Sequence, residues 1–202
     1  MSEAPGFTIW FTGLPRSGKS TIARQVADAL RVRGQHVELL NSAKIRKEVN
    51  RSLGFTREEI ETSVQRLGYE CMMLNRNGVV AVVTAVSPYR DARDALRGEI
   101  RDFVEVYCHA TMDVLVQRDT RGFFERAKRG EIKHVAGVNA PYEEPKSPEV
   151  RLDTDTESAE NCSGAVITAL ERLGLIDPVE QSGYTHEEEE IIKQRLHDLG
   201  YL

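Results

Sequence analysis

Residues 13–21 have the composition and spacing of a segment that binds phosphate groups. Their sequence, Gly-Leu-Pro-Arg-Ser-Gly-Lys-Ser-Thr, fits the pattern G-x-x-x-x-G-K-[ST]. Gly13 and Gly18 lack a Cβ, so the backbone can bend there and approach a ligand closely. The amine of Lys19 can reach the β- and γ-phosphates of a nucleoside triphosphate, and the hydroxyl of Ser20 can bind Mg²⁺. The pattern therefore predicts a triphosphate site with Ser20 as the metal ligand.

The segments on both sides of this loop support the prediction. Residues 7–12, Phe-Thr-Ile-Trp-Phe-Thr, are typical of a buried strand, and residues 20–30 have the apolar spacing of a helix. A loop between strand and helix points successive N–H groups toward one place, where the helix N-terminus adds positive charge. This context favours a phosphate loop over a chance match in a glycine-containing turn. We assign nucleotide binding to Gly13, Arg16, Ser17, Gly18, Lys19, Ser20 and Thr21.

Strand and helix patterns alternate along the whole chain. Predicted strands cover residues 7–12, 36–40, 79–84, 104–108 and 149–152. Predicted helices cover residues 19–32, 43–51, 57–76, 89–101, 112–129 with a break, and 158–173. This alternation predicts an α/β fold, with a doubly wound parallel sheet and right-handed crossovers. Ligands of such sheets bind beyond the carboxyl ends of the strands, so we expect the functional residues just after each strand.

Length and charge limit the classes of function. The 202 residues suit one domain with a small appendage, and the 40% of hydrophobic residues supply a core. A net charge of −5 argues against general affinity for nucleic acid or for an anionic membrane. The sequence has no apolar run long enough to span a membrane and its N-terminus does not resemble a signal peptide, so we expect a cytoplasmic protein. The cysteines, Cys71, Cys108 and Cys162, lack the spacing of metal ligands.

Two segments fall outside the alternating pattern. Residues 118–148 are polar and contain several glycines and prolines, which predicts a mobile lid over the nucleotide at about 118–140. An ordinary surface helix and loop is the alternative. Residues 177–202 carry a capping box and an apolar stripe, which predict a helix docked on its own domain or on a dimer partner. We therefore divide the chain into a domain at 1–176 and a helical tail at 177–202.

Several further motifs, taken with the phosphate loop, resemble the adenylylsulfate kinase family. They are Arg-Asn-Gly-Val at 76–79, Ser-Pro-Tyr-Arg at 87–90, Arg-Asp-Thr-Arg-Gly at 118–122, Ala-Lys-Arg-Gly-Glu-Ile-Lys at 127–133 and Pro-Tyr-Glu-Glu-Pro at 141–145. The resemblance covers about residues 6–176. It implies a P-loop nucleoside-triphosphate kinase fold, a lid at 118–140 and a homodimer. The activity that it implies is transfer of a phosphoryl group from ATP, with Mg²⁺, to the 3′-hydroxyl of adenosine 5′-phosphosulfate (APS).

The resemblance also implies roles for individual side chains. The residues that would bind the phosphoryl group during transfer are Lys19, Arg118 and Arg121. The residues that would bind the acceptor nucleotide are Asn41, Arg46, Phe55, Arg66, Ser87, Arg90 and Lys133. For the basic residues outside the phosphate loop the alternative is a solvated surface charge, and for Phe55 it is packing in the core.

The chain departs from the family where the acceptor would bind. The family has Asp-Gly-Asp after its second strand, whereas this chain has Asn41-Ser42-Ala43, so both carboxylates are absent. An aspartate there can help to hold Mg²⁺ and can deprotonate the attacking hydroxyl. Asp91 and Asp94 are candidates to replace the carboxylates, although the helix dipole also explains them. The other altered acceptor positions are Ile60, Ser63, Gln65, Val135, Asn139 and Ala140.

The sequence leaves three functions open. The chain is a kinase that phosphorylates APS without these carboxylates, a kinase of the same fold for another acceptor, or a non-catalytic ATP-binding protein. A loose transition state depends on positioning and charge neutralisation more than on a base, and the phosphate loop and the basic lid are retained. We therefore predict ATP-dependent phosphotransfer, with APS or a related nucleotide as the acceptor.

Overall fold

A five-stranded sheet forms the centre of the structure, a computed structural model that describes residues 5–48, 52–178 and 195. Its strands are β1 (Thr8–Thr12), β2 (Val37–Asn41), β3 (Val80–Thr84), β4 (Phe103–His109) and β5 (Val150–Asp153). They lie in the order β2-β3-β1-β4-β5, and every neighbouring pair is parallel. The prediction of a doubly wound parallel sheet is confirmed.

The helices of the described ranges lie between and after the strands. They are α1 (Lys19–Val32), α2 (Ser42–Glu48), α3 (Arg57–Arg76), α4 (Arg90–Glu99), α5 (Met112–Gln117), α6 (Phe123–Lys128) and α7 (Ala159–Arg172). The bounds of α1 and α3 agree with the predicted ones, and α3 begins with a capping box formed by Thr56 and Glu59. The helical segment predicted at 112–129 with a break forms the two helices α5 and α6. Residues 49–51, to which the prediction extends α2, lie outside the described residues.

Helices cover both faces of the sheet, and each face has its own apolar core. On one face α1 and α7 pack together over Ile9 and Phe11, which are fully buried. On the other face α3 and α4 pack around Trp10, which is also fully buried. Neighbouring side chains of β1 therefore enter opposite cores, and this strand is buried along its whole length. Because both faces are covered, ligands reach the sheet at the edge formed by the carboxyl ends of its strands.

The segment predicted to be a lid packs in a third apolar cluster, which it shares with Ala110 and with Leu115 of α5. Phe124 and Ala127 of α6 are buried together with Val135. Asn139 closes the turn that follows, because its Oδ1 accepts a hydrogen bond from the Val135 N–H at 2.7 Å and its Nδ2 donates to the Ala127 carbonyl at 3.1 Å. Residues 118–140 therefore have a folded structure beside the main sheet.

The predicted tail at 177–202 lies outside the described residues, apart from residues 177, 178 and 195. The predicted domain boundary at residue 176 falls four residues after the end of α7. Within the described part of the chain, no helix combines the length and the apolarity that a membrane crossing requires.

Candidate active site

The phosphate loop joins β1 to α1 at the carboxyl edge of the sheet. Gly13 has a φ of 143°, and a Cβ at this position would collide with the carbonyl oxygen of Cys108. Gly18 has a φ of 83° and forms the N-cap of α1. Arg16 has a φ of 70°, which is a strained conformation for a residue with a side chain. These left-handed residues curl the loop around the helix N-terminus, which is the arrangement that binds phosphate.

Lys19 points into the concave side of this loop. Its side chain is almost buried, and its Nζ donates to the Leu14 carbonyl at 2.6 Å and to Ser17 Oγ at 3.2 Å. Burial lowers the pKa of Lys19 from 10.5 to about 8. Phosphate oxygens bound in the same loop would favour the charged amine and restore its pKa. The loop therefore supplies a desolvated cation for a phosphate group.

A cavity of about 480 Å³, which we call the loop cavity, lies along the phosphate loop. Its lining is Arg16, Gly18, Lys19, Ser20, Thr21, Ile22, Arg118, Thr154, Glu157, Ala159 and Cys162. Arg118 is held there by bonds from its guanidinium to Thr154, one of them to Oγ1 at 3.1 Å. Arg121 is exposed and is not part of this lining. The cavity thus brings most of the predicted nucleotide-binding residues together with Arg118.

The loop cavity fits Mg²⁺ in the company of a triphosphate. Ser20 is exposed at the cavity, one position after Lys19. In the described ranges, no three His, Cys, Asp or Glu side chains are placed to hold a metal ion. The Ser20 hydroxyl would bind Mg²⁺ at this place, with phosphate oxygens and water completing the coordination.

A second cavity of about 610 Å³, which we call the apolar cavity, lies on the other side of the phosphate loop. Its apolar lining is Pro15, Ala43, Phe55, Ile60, Val64, Leu67, Ala85, Val86, Pro88, Phe123, Ile132, Val135 and Ala136. Its polar lining is Ser42, Arg46, Ser63, Ser87, Glu131, Lys133 and His134. Pro15 of the phosphate loop faces this cavity, whereas Arg16 and residues 18–22 face the loop cavity. The phosphate loop therefore separates the two cavities.

Phe55 and Arg46 form one wall of the apolar cavity. The guanidinium carbon of Arg46 lies 4.0 Å from the centre of the Phe55 ring, and Arg46 also donates to the carbonyl oxygens of Leu53 and Gly54. Partial burial lowers the pKa of Arg46. The Phe55 side chain is 54% exposed, so it is not part of the apolar core. The arginine holds the ring where it can stack on a flat ligand.

Three of the predicted acceptor residues do not line the apolar cavity. Asn41 Oδ1 accepts from the N–H groups of Ala43 and Lys44 at 3.0 and 3.2 Å, so this side chain caps α2. Arg90 donates from Nε and Nη2 to the Glu144 carbonyl at 3.1 and 2.9 Å. Arg66 is exposed on α3 and is not part of the lining. The remaining four, Arg46, Phe55, Ser87 and Lys133, are brought together there.

Nothing in the described lining replaces the missing carboxylate pair. Glu131 is the carboxylate that faces the apolar cavity, and it is paired with Arg126 at 3.2 Å and with Arg129 at 2.7 Å. These arginines lower the pKa of Glu131, so it is a weak proton acceptor. Asp91 is 81% exposed and is paired with Arg57 at 3.2 Å, which agrees with a helix-start charge. Asp94 does not line the cavity either.

Sequence reasoning missed several residues of the site. Phe123 and His134 line the apolar cavity, and His134 has a left-handed φ of 59°. Thr12 and Tyr142 meet beneath the phosphate loop, with their hydroxyl oxygens 3.0 Å apart. Tyr142 belongs to the motif Pro-Tyr-Glu-Glu-Pro, so a signal was present in the sequence without a role attached to it. Thr12 and Trp10 have the pattern of an ordinary buried strand, which hid their contacts with Ser87.

Comparison with known sequences gives consistent similarities. Residues 5–153 match the family described as adenylylsulphate kinase. The chain is 41% identical to an adenylyl-sulfate kinase of Gloeothece citriformis, and the match covers 85% of this chain and 97% of that protein. It is 42% identical to a probable bifunctional SAT/APS kinase of Sorangium cellulosum, of whose length the match covers 29%.

Comparison with solved structures agrees. The fold superposes on the Mycobacterium tuberculosis APS kinase in complex with AMPPNP and APS with a TM-score of 0.78 and 34% identity, over 83% of this chain and 98% of that one. The hexameric APS kinase from Thiobacillus denitrificans gives a TM-score of 0.66 and 27% identity, over 86% of this chain and 30% of that one. A sugar kinase from Janibacter, at 20% identity and a TM-score of 0.61, shares the fold.

Proposed function

Because this chain belongs to the adenylylsulphate kinase family, we propose that it transfers the γ-phosphoryl group of MgATP to the 3′-hydroxyl of APS. The observation that carries the proposal is the position of the phosphate loop between two cavities. ATP in the loop cavity would present its terminal phosphate toward the apolar cavity. An acceptor nucleotide in the apolar cavity would present a hydroxyl from the opposite side, which is the arrangement of an in-line transfer.

The donor half would act mainly by charge neutralisation. The N–H groups of the phosphate loop and the amine of Lys19 would hold the β- and γ-phosphate oxygens, and Arg118 would approach from the far side of the loop cavity. Mg²⁺ bound by Ser20 would neutralise further charge on the phosphates. Arg121 is exposed at the start of the 118–140 segment and would reach the phosphoryl group if this segment closes as a lid.

The acceptor half would hold a nucleotide between apolar surfaces. Phe55 would stack on the base, which contributes about 1–3 kcal/mol in comparable sites. Lys133 and Arg46 would attract the phosphosulfate group. Ser87 lines the same cavity, while Arg66 and Arg90 would need a movement of the surrounding segments to reach the acceptor.

Transfer in this chain would proceed without a carboxylate base at positions 41 and 43. Asn41 is occupied as the cap of α2, and Ala43 has no polar group. In a loose, metaphosphate-like transition state the attacking hydroxyl loses its proton late. Positioning and charge neutralisation then supply most of the rate, so the missing base reduces activity without abolishing it.

The apolar lining supports a second candidate function, a kinase of the same fold for a different acceptor. Ile60, Ser63 and Val135 line the cavity at positions where the family has an arginine, an asparagine and a phenylalanine. A less anionic acceptor would bind such a cavity with smaller desolvation cost than APS. The family assignment favours an enzyme over the non-catalytic ATP-binding protein that the sequence left open.

Further proposals concern assembly and location. We propose a homodimer of domains spanning 1–176, with the tail at 177–202 outside the catalytic unit. The net charge of −5 supports a protein that binds neither nucleic acid nor membranes. We propose a cytoplasmic location, where ATP is available as the donor. Sedimentation of the purified chain at several concentrations measures its oligomeric state.

ADP release tests the proposed function directly. Purified protein with MgATP is assayed first with APS, and then with other nucleotide-linked sulfates, phosphates and phosphoramidates. Turnover with APS supports the main proposal. Turnover only with another acceptor supports the second, and ATP binding without any turnover would contradict both.

A further inference from the structure

The wall of the apolar cavity contains a strained turn. Residues 85–90, which run from the end of β3 to the first residue of α4, form what we call the acceptor loop. Residues 141–145, Pro-Tyr-Glu-Glu-Pro, form what we call the strap. Ser87, in the middle of the acceptor loop, has a φ of 36°. A residue with a side chain keeps such a conformation only where its surroundings enforce it. The contacts around Ser87 therefore set the shape of this wall.

A chain of hydroxyl groups joins the acceptor loop and the strap to the start of the phosphate loop. The indole N–H of Trp10 can only donate, and it donates to Ser87 Oγ at 3.0 Å. Ser87 donates to Thr12 Oγ1 at 3.0 Å, and Thr12 donates to the Val86 carbonyl at 2.8 Å. Because each hydroxyl carries one proton, Tyr142 must be the donor in its 3.0 Å contact with Thr12.

Arg93 of α4 provides a second link between the acceptor loop and the strap. Its side chain is 1% exposed, and its Nε is paired with Glu105 Oε1 of β4 at 2.7 Å. Its terminal nitrogens donate to the carbonyl oxygens of Ser87 and Glu143, the latter at 2.6 Å. Since the guanidinium is a rigid plane, these bonds fix the strap relative to the acceptor loop.

The strap also binds the end of the acceptor loop directly. The N–H of Glu143 donates to the Pro88 carbonyl at 2.8 Å, and Glu143 Oε2 accepts from the N–H of Arg90 at 2.8 Å. The Arg90 side chain donates to the Glu144 carbonyl. These contacts show why Arg90 does not face the cavity: it fastens the acceptor loop to the strap.

We propose that Tyr142 and Arg93 are positioning residues, which hold the acceptor's hydroxyl in line with the phosphate loop. The proposal rests on the proposed phosphotransfer. Tyr142 bonds to Thr12, the residue just before the phosphate loop, while Arg93 fixes Ser87, which lines the apolar cavity. Without these bonds the turn at Ser87 relaxes and the cavity wall moves relative to the phosphate loop. The strap directly follows residues 118–140, so a movement of that segment also acts on this wall.

Tyr142→Phe tests the proposal because it removes one hydroxyl and keeps the ring. We expect kcat for transfer to APS to fall about tenfold, with the KM for MgATP within about twofold of wild type. Tyr69→Phe is the matched control, since Tyr69 is 60% exposed and lines neither cavity; it leaves kcat unchanged. Thr12→Val removes the acceptor of the same hydrogen bond. The double variant Thr12→Val/Tyr142→Phe should therefore have a kcat within about twofold of that of Thr12→Val alone.

Hydrogen exchange gives a readout that does not depend on APS. In nucleotide-free Tyr142→Phe, the amides of the acceptor loop, apart from Pro88, which has none, exchange faster than in wild type and in Tyr69→Phe. The melting temperature falls by no more than the few degrees that the loss of one hydrogen bond explains. Unchanged exchange overturns the proposal, as does a fall in kcat that is matched by equal losses of MgATP affinity and stability. A wild-type protein that does not phosphorylate APS overturns the proposed function instead, and the exchange measurement still decides whether Tyr142 holds the acceptor loop.

Discussion

The two cavities beside the phosphate loop are built in different ways. The loop cavity takes more than half of its lining from one contiguous stretch, residues 16–22. The apolar cavity is assembled from α2, α3, the acceptor loop and the 118–140 segment. Phe55, in the connection between α2 and α3, completes its wall. A contiguous motif keeps its geometry when distant residues change, whereas an assembled site changes with each substitution. This difference explains how the chain retains a donor site of the family pattern beside an acceptor site that has departed from it.

The largest expected effect is at the loop cavity, where one contiguous stretch supplies most of the lining. Lys19→Ala should lower phosphotransfer by more than about 10²-fold and weaken MgATP binding, because it removes a buried cation at the phosphates. Steady-state ADP release and calorimetric titration with MgATP measure the two effects. Lys146→Ala, at an exposed lysine outside both cavities, is the control for loss of charge. Unchanged turnover in Lys19→Ala would contradict the assignment of the donor site.

A smaller effect is expected at the aromatic wall of the assembled side. Phe55→Ala should raise the KM for the acceptor about 5- to 150-fold and leave the KM for MgATP unchanged, because base stacking contributes about 1–3 kcal/mol. Phe55→Tyr keeps the aromatic face and should behave like wild type. Equal increases in both KM values would show that Phe55 supports the fold and does not select the acceptor.

Restoring the carboxylates at positions 41 and 43 tests whether their loss or the altered cavity lining limits activity with APS. A recovered base contributes about 10²–10⁴-fold where the rest of a site is intact. Because Ile60, Ser63 and Val135 of the cavity lining remain altered, Asn41→Asp with Ala43→Asp should raise kcat/KM for APS by less than about tenfold. The fold should tolerate the change because an aspartate caps α2 as well as Asn41 does. Asn41→Asp alone is the control. A rise of about a hundredfold would show that the carboxylates are the main deficit.

A further effect is expected on the free energy of unfolding, whose pH dependence should report the burial of Lys19. Its folded pKa of about 8 lies below the ordinary value of 10.5, so between these values the unfolded chain binds more protons at this residue. The cost of burying the charged amine is therefore present below pH 8 and is relieved as pH rises toward 10.5. Denaturant unfolding of nucleotide-free protein should show this gain in wild type and in Lys146→Met, but not in Lys19→Met. If the free energy of unfolding changes with pH in the same way in all three proteins, the amine of Lys19 is solvated.

The sequence predicted the local parts of the molecule well. The bounds of α1 and α3 follow from apolar spacing and end signals that lie within each helix. The phosphate loop is likewise contained in nine consecutive residues, and most of its predicted side chains line one cavity. Such features depend on neighbouring residues, so a sequence pattern is enough to place them.

The assembled parts were harder to predict, because their contacts join residues far apart in the chain. Arg90 is the last residue of a motif, Ser-Pro-Tyr-Arg, that implied acceptor binding, but its side chain donates to the carbonyl oxygen of Glu144. Asn41 was expected at the acceptor, but the first turn of α2 needs its side-chain oxygen as a cap. Phe123 entered the cavity lining without any sequence signal beyond its aromatic character. Competition for polar groups decided the placement of two of these side chains: Arg90 bonds to a carbonyl 54 residues away, and Asn41 bonds within the first turn of α2. A sequence does not show that competition.

We expect the chain to phosphorylate APS with the donor site of the family and without carboxylates at positions 41 and 43. The most direct test is a quantitative product analysis after incubation of the wild-type protein with MgATP and APS. We expect ADP and 3′-phosphorylated APS in equal amounts, and neither product from Lys19→Ala. ADP without phosphorylated APS, or a phosphorylated product only from a different acceptor, would contradict this expectation.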